Sequence, residues 1–88
     1  MITLTISEKK KDGKLLKFQR SIKMFKSKDK ASKFIVPIVS EMKEAKHQKR
    51  DPKISIVAVS YDTKSEKTLL LELGAITTTE NETSDEYD

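Results

Sequence analysis

Residues 27–48, SKDKASKFIVPIVSEMKEAKHQ, decide the fold because their apolar residues recur at the spacing of a helix. The apolar positions are Ala31, Phe34, Ile35, Ile38, Met42 and Ala45. They fall on one side of a helix with about 3.6 residues per turn. Ser27 or Asp29 can cap its first turn. Because such a helix must bury its apolar side, we expect the flanking sequences to form a sheet that covers it.

Pro37 interrupts this helical pattern and leaves two interpretations. A proline inside a helix removes one hydrogen bond and costs about 3 kcal/mol, so the regular helix could instead begin at Pro37. The apolar stripe runs across Pro37 without a break, which favours a continuous, kinked helix. Asp51-Pro52 then ends the helical region, because a residue before proline avoids helical backbone angles.

The sequence before the helix predicts a β-hairpin. In the first strand Ile2, Leu4 and Ile6 alternate with hydroxyl residues, and Asp12-Gly13 is typical of a tight turn. A second strand follows, with one apolar face that we expect to point into the core. Arg20 interrupts that face. It could mark a bulge, lie beyond the edge of the core, or be an edge-strand charge that discourages aggregation, and the last two interpretations are preferred. The apolar face comprises Leu16, Phe18, Ile22 and Met24.

The sequence after the helix predicts a second pair of strands. Residues 53–61, KISIVAVSY, are rich in β-branched residues, which favours a strand. In residues 68–76 Leu69, Leu71 and Leu73 alternate with other side chains, before Gly74 ends the pattern. The predicted fold is therefore α+β with the order ββαββ, a four-stranded, mainly antiparallel sheet with one helix packed on one face.

The charges divide the chain into a basic domain and an acidic tail. The 88 residues include 18 Lys and Arg against 14 Asp and Glu. Five of these acids lie in residues 79–88, which contain no base, so residues 1–78 carry 18 bases and nine acids. We predict one basic domain over residues 1–78 and a disordered tail over residues 79–88.

The composition argues against several classes of function. The chain has no cysteine, one histidine and two glycines, which disfavours a Cys- or His-based metal site and a glycine-rich phosphate loop. No catalytic motif is present, so we expect neither an enzyme nor a cofactor. No stretch reaches the roughly 18 apolar residues of a membrane span, and the amino-terminal pattern differs from a signal peptide. The expected location is the cytoplasm.

Clustered lysine favours sequence-tolerant binding of DNA or RNA, because phosphate backbones reward positive charge through counterion release. Only two of the 18 basic residues are arginine. Arginine is the residue best suited to recognising nucleobases, because its guanidinium can form two parallel hydrogen bonds. With Phe18 and Phe34 predicted in the core, duplex or backbone contact is expected in preference to base stacking. The candidate nucleic-acid-binding residues are Lys9, Lys10, Lys11, Lys14, Lys17, Lys23, Lys26, Lys46, Lys49, Arg50 and Lys53.

The alternative is a small inhibitor or adaptor, of the kind found in phages or mobile elements, that binds a host protein such as a nucleic-acid-handling enzyme. Its contact surface would be a sheet edge, the acidic tail or an outer apolar patch, which could also support a homodimer. The predicted patch comprises Val57, Val59, Tyr61 and Leu70. Lysines gathered on one surface would favour nucleic acid, and scattered lysines beside this patch would favour a protein partner.

Overall fold

The computed structural model describes residues 1–77, which form three strands and two helices. The predicted tail, residues 79–88, lies outside the described residues. The elements are β1 (Ile2–Asp12), β2 (Leu15–Phe25), α1 (Lys28–Gln48), β3 (Ile54–Ser60) and α2 (Lys64–Leu73). The α+β class is confirmed, with a three-stranded antiparallel sheet in the order β2-β1-β3.

Strand β1 lies in the centre of the sheet and pairs with both neighbours. It pairs with β2 along its whole length, from Ile2 opposite Phe25 to Asp12 opposite Leu15. The two strands meet at a turn in which Gly13 has a φ of +64°, a conformation that glycine adopts without steric cost. Strand β3 pairs with β1 only from Thr3 to Glu8. The distal half of the hairpin therefore extends beyond the three-stranded region.

The core lies between the sheet and the two helices. Ile2, Leu4 and Ile6 of β1 are buried, as the alternating pattern predicts. Helix α1 packs its apolar side against them, and Leu70 of α2 completes the buried cluster. The buried side chains of α1 are Ala31, Ile35, Ile38, Val39 and Ala45, with Phe34 and Met42 packed at the margin.

Helix α1 is continuous through Pro37, which confirms the predicted continuity, while the predicted kink stays a prediction. Ser27 is the N-cap, and its hydroxyl accepts a hydrogen bond from the Lys30 N–H at 3.4 Å. The helix ends at Lys49, whose φ of 57° lies in the left-handed region. The predictions of one long helix, of its apolar side and of Ser27 as a possible cap are therefore correct.

The predicted fourth strand is wrong, because Lys64–Leu73 forms helix α2. Its first turn is closed by reciprocal hydrogen bonds: the Thr63 hydroxyl accepts from the Glu66 N–H, and the Glu66 carboxylate accepts from the Thr63 N–H. Gly74 ends the helix with a φ of 81°. Leu70, predicted on an outer sheet face, is fully buried.

A β-bulge in β3 changes which of its side chains face the core. The register against β1 shifts between Thr5 and Ile6, so that Val57 has no direct partner. Ile54, Ile56 and Val59 consequently pack on the core side, whereas a regular strand would place Val59 opposite to Ile54 and Ile56. The predicted outer position of Val59 is therefore wrong, and Val57 is 46% exposed.

The apolar face of β2 points away from the core, contrary to the sequence prediction. Phe18, Ile22 and Met24 lie opposite Lys9, Thr5 and Thr3, which occupy the side of β1 that faces away from α1. No element of residues 1–77 covers this side of the sheet, here called the open face. The four exposed side chains are Leu16 (61%), Phe18 (53%), Ile22 (64%) and Met24 (66%).

Candidate binding surface

The outer part of the hairpin, residues 9–20, is here called the hairpin arm, and all of it except Gln19 and Arg20 lies beyond the end of β3. It contains six bases and one acid, KKKDGKLLKFQR. All its side chains are exposed except that of Lys9, which is half-buried. The structure therefore places five of the candidate nucleic-acid-binding residues on one projecting ribbon: Lys9, Lys10, Lys11, Lys14 and Lys17.

One side of the arm combines basic, apolar and aromatic groups. Lys9 lies directly opposite Phe18, and Lys11 lies opposite Leu16. Arg20 lies opposite Ser7 on this same open face. Side chains directly opposite each other in an antiparallel pair have Cβ atoms about 5 Å apart. The exposed ring of Phe18 is thus flanked by cationic side chains.

Most of these charges are not neutralised within the protein. Lys17 lies 3.4 Å from Asp12, and Lys10 lies 4.0 Å from Glu8, both as exposed pairs that contribute little stability. Lys9, Lys11, Lys14 and Arg20 form no ion pair with any described residue. The arm therefore has a strong positive potential that an external anion can neutralise.

A second basic group lies near the base of the arm. The Lys9 N–H donates to the Lys53 carbonyl at 2.8 Å, which places the start of β3 beside the arm. Lys46 lies in the last turn of α1 and Lys49 at its end. Lys46, Lys49 and Lys53 therefore lie at the end of the sheet from which the arm projects. Lys23 and Lys26 lie toward the other end of β2.

Arg50 has a structural contact that competes with its predicted role in nucleic-acid binding. Its guanidinium donates to both Glu41 oxygens, at 2.7 and 3.2 Å. The same carboxylate accepts from the Lys53 backbone N–H at 2.7 Å. These hydrogen bonds lower the pKa of Glu41 to about 2, and the bond from Arg50 has the largest effect. Arg50 thus fastens the end of α1 to the start of β3.

The buried carboxylate of Glu66 also has a structural role. It lies 2.8 Å from the amino-terminal ammonium of Met1 and accepts from the backbone N–H groups of Asp62 and Thr63. The ammonium and these hydrogen bonds lower the pKa of Glu66 to about 2. All its close partners are explained by helix capping and by attachment of β1 to α2, so it is not a candidate acid-base group.

The predicted apolar patch does not assemble. Leu70 is buried and Val59 faces the core, while Val57 and Tyr61 are exposed by 46% and 37%. A larger group of apolar side chains is exposed on β2 instead. The sequence contains one signal of this arrangement, since Arg20 lies on the same face as Leu16, Phe18, Ile22 and Met24, and an unpaired charge disfavours burial of that face. Arg20 does lie on an edge strand, as one interpretation of the sequence expected, and its protective role stays a prediction.

Residues 1–77 contain no group of three or more His, Cys, Asp or Glu side chains that could hold a metal ion. Neither described helix is long and apolar enough to cross a membrane. Comparison of the chain with models of protein families, with curated protein sequences and with solved structures found no match.

Proposed function

We propose that this protein is a non-enzymatic binding module that binds nucleic acid with little sequence preference. The hairpin arm supports this proposal, because this ribbon carries six basic residues and one acidic residue. Counterion release favours binding of such a surface to a phosphate backbone. Lysine supplies charge without the bidentate geometry that reads bases, so the affinity depends mainly on charge density.

Single strands are the preferred form of nucleic acid in this proposal. The ring of Phe18 is 53% exposed and lies opposite Lys9 on the open face. An exposed aromatic ring beside cations can stack on an unpaired base while the cations bind the adjoining phosphates. A duplex hides its base faces and can use only the charges. Because Phe18 is exposed, we propose base stacking in addition to the phosphate contacts expected from the sequence.

A salt titration of binding tests the charge component. The full chain is mixed with labelled single-stranded DNA, duplex DNA and RNA of mixed sequence. Replacing Lys9 and Lys11 by serine should reduce the steepness of the plot of log affinity against log salt concentration for single strands. The slope should change by about 1.4, because each lost phosphate contact removes roughly 0.7 from it. The matched control replaces Lys33 and Lys43, two exposed lysines of α1, by serine and should keep the slope.

The stacking component is tested separately with Phe18→Ala. Stacking of one base is worth about 1–3 kcal/mol, so single-strand affinity should fall roughly 5- to 150-fold while duplex affinity stays unchanged. Val36→Ala is the control, because Val36 is 51% exposed on α1. Absence of binding to all three nucleic acids at low salt would refute the proposed function. If Phe18→Ala lowered the affinity for single and double strands equally, the stacking component would be refuted and the charge component would stand.

A protein partner is the second candidate, because four large apolar side chains are exposed together on β2. An apolar surface of this kind is typical of an interaction site. An inhibitor or adaptor would bind through this stripe with weak salt dependence. Two results together would support this candidate. The wild-type chain would bind no nucleic acid, and Ile22→Lys would strongly weaken binding to the protein partner.

A further inference from the structure

The outer edge of β2 has a row of backbone groups that no strand of residues 1–77 pairs with. The Lys9 N–H donates to the Lys53 carbonyl, so odd-numbered residues of β1 direct their backbone groups toward β3. Even-numbered residues of β1 therefore bond to the odd-numbered residues of β2 that lie opposite them. The even-numbered residues of β2, from Leu16 to Met24, consequently direct their N–H and carbonyl groups away from the sheet.

This edge is suited to pairing with another polypeptide strand. Strand β2 has eleven residues and pairs with β1 without a register shift, whereas β3 at the opposite edge has seven residues and a bulge. A bulge twists an edge away from a new strand. A polypeptide strand satisfies both the donors and the acceptors of the β2 edge. A nucleic acid backbone cannot do so, because phosphate oxygens accept hydrogen bonds but do not donate them.

The charged side chains in and beside β2 are all basic, and residues 13–28 contain no acid. They recur at every third residue: Lys14, Lys17, Arg20, Lys23 and Lys26. Lys17 pairs with Asp12, and the other four form no ion pair with any described residue. A second copy of the chain would bring another basic edge against this one and be repelled. A strand that carries Asp or Glu would be attracted.

The two sides of β2 specify where the acids of such a strand would lie. Lys23 lies opposite the buried Leu4, so Lys17 and Lys23 are on the side of the sheet that faces α1, and both are exposed. The open face of β2 is apolar except for Arg20. A complementary strand therefore has acids opposite Lys17, Arg20 and Lys23, and apolar side chains at the remaining positions of the open face.

We propose that the edge of β2 binds an extended, acidic segment of a partner protein, which adds to the sheet as an antiparallel fourth strand. The segment has acids at every third position and apolar residues beside them. Its addition also supports the hairpin arm, because a two-stranded ribbon is marginally stable in water and a third strand stabilises it. The contact goes beyond the proposed function and does not depend on it, since it uses the backbone edge of β2 and is measured without nucleic acid.

A designed peptide tests the charge pattern of this contact. The probe is VEVTETVEV, labelled with a fluorophore and blocked at both ends, which spans the edge from Leu16 to Met24. In antiparallel register its glutamates lie opposite Lys17, Arg20 and Lys23. The control VKVTKTVKV has the same apolar residues and the opposite charge. In fluorescence anisotropy with the full chain, the control should bind at least about 10-fold more weakly, because three attractive cross-strand pairs become repulsive.

Backbone methylation of the probe separates strand addition from attraction of charges alone. The third, fifth and seventh residues of the probe lie opposite even-numbered residues of β2, so their N–H groups donate to the edge. N-methylation at these three positions should abolish binding. N-methylation at the second, fourth and sixth residues, whose N–H groups point away from β2, should leave it unchanged. Equal effects of the two patterns, or no binding of the unmodified probe at low salt, would overturn the proposal.

Charge reversal in the protein supplies the reciprocal test. The double variant Lys17→Glu, Lys23→Glu should prefer VKVTKTVKV to VEVTETVEV, whereas Lys33→Glu, Lys43→Glu on α1 should keep the wild-type preference. Circular dichroism confirms that each variant is folded. An unchanged preference in the first variant would overturn the assigned edge.

Amide hydrogen exchange identifies what occupies the edge. The N–H groups of Phe18, Arg20 and Ile22 should exchange rapidly in the free chain and become protected when the probe is added. Protection before the probe is added would overturn the proposal. If that protection were independent of protein concentration, the chain's own residues 78–88 would be the occupant, and if it increased with concentration, the occupant would be a second copy.

Discussion

The ion pair between Glu41 and Arg50 joins two elements of the fold. Its two hydrogen bonds and the one from the Lys53 N–H join the end of α1 to β3. Charge-assisted, bidentate pairs of this kind are stronger than ordinary surface pairs. Because Lys53 also receives the backbone bond from Lys9, this pair indirectly positions the base of the hairpin arm.

The stabilisation by Glu41 should disappear in acid. The folded-state pKa of Glu41 is about 2, below its ordinary value of 4.5, so its contribution is fully present above about pH 5 and is lost as the pH falls toward 2. Glu41→Gln should therefore lower the free energy of unfolding in urea at pH 7, and the difference from wild type should shrink below pH 5.

The same comparison in an Arg50→Gln background is the control. Removal of Arg50 eliminates the main cause of the lowered pKa, so the pH-dependent difference should be much smaller there. A difference that persists unchanged in that background would contradict the assigned partner.

At the same scale, the sequence predicts which residues of a strand share a face but not which side of the sheet is covered. The alternation of Phe18, Ile22 and Met24 is correct, and only their direction is wrong. Burial depends on where α1 crosses the sheet, and α1 lies closer to β3 than to β2. A single charge, Arg20, carried the information that this face is solvated.

At the scale of elements, helix α2 was missed because a leucine-rich run satisfies two periods. Leu69, Leu71 and Leu73 alternate as in a strand, whereas Glu66, Leu70 and Leu73 follow helical spacing. The decisive signals are at the ends: Thr63 with Glu66 three residues later, and Gly74 after the last leucine. The bulge at Val57 has no comparable signal, since it arises from pairing with β1.

The ends of α2 give a test that separates helix from strand. Thr63→Ala should lower the free energy of unfolding by about 1 kcal/mol, because the Glu66 N–H loses its acceptor. Thr68→Ala should change it by less than about 0.5 kcal/mol, since alanine is the better helix former at an exposed position. If residues 68–76 were a strand, the larger loss would come from Thr68. Urea denaturation measures both.

At the scale of the molecule, the proposed nucleic-acid contact depends on salt. Nucleic acid neutralises the bases of the arm, so its affinity should fall as salt rises. The sequence predicted the basic domain, the hairpin and the long helix, but the union of charge with an open apolar face required the sheet order.

The most direct test of the proposed binding surface is a map of backbone amide chemical shifts in the full chain during titration with a single-stranded oligonucleotide. We predict that the shifts of residues 7–24 change progressively, most strongly near Phe18, while those in the middle of α1 stay constant. High salt should reverse the changes. Shifts confined to α1 and α2, or no shifts at low salt, would contradict the assignment of the hairpin arm and open face as the nucleic-acid-binding surface.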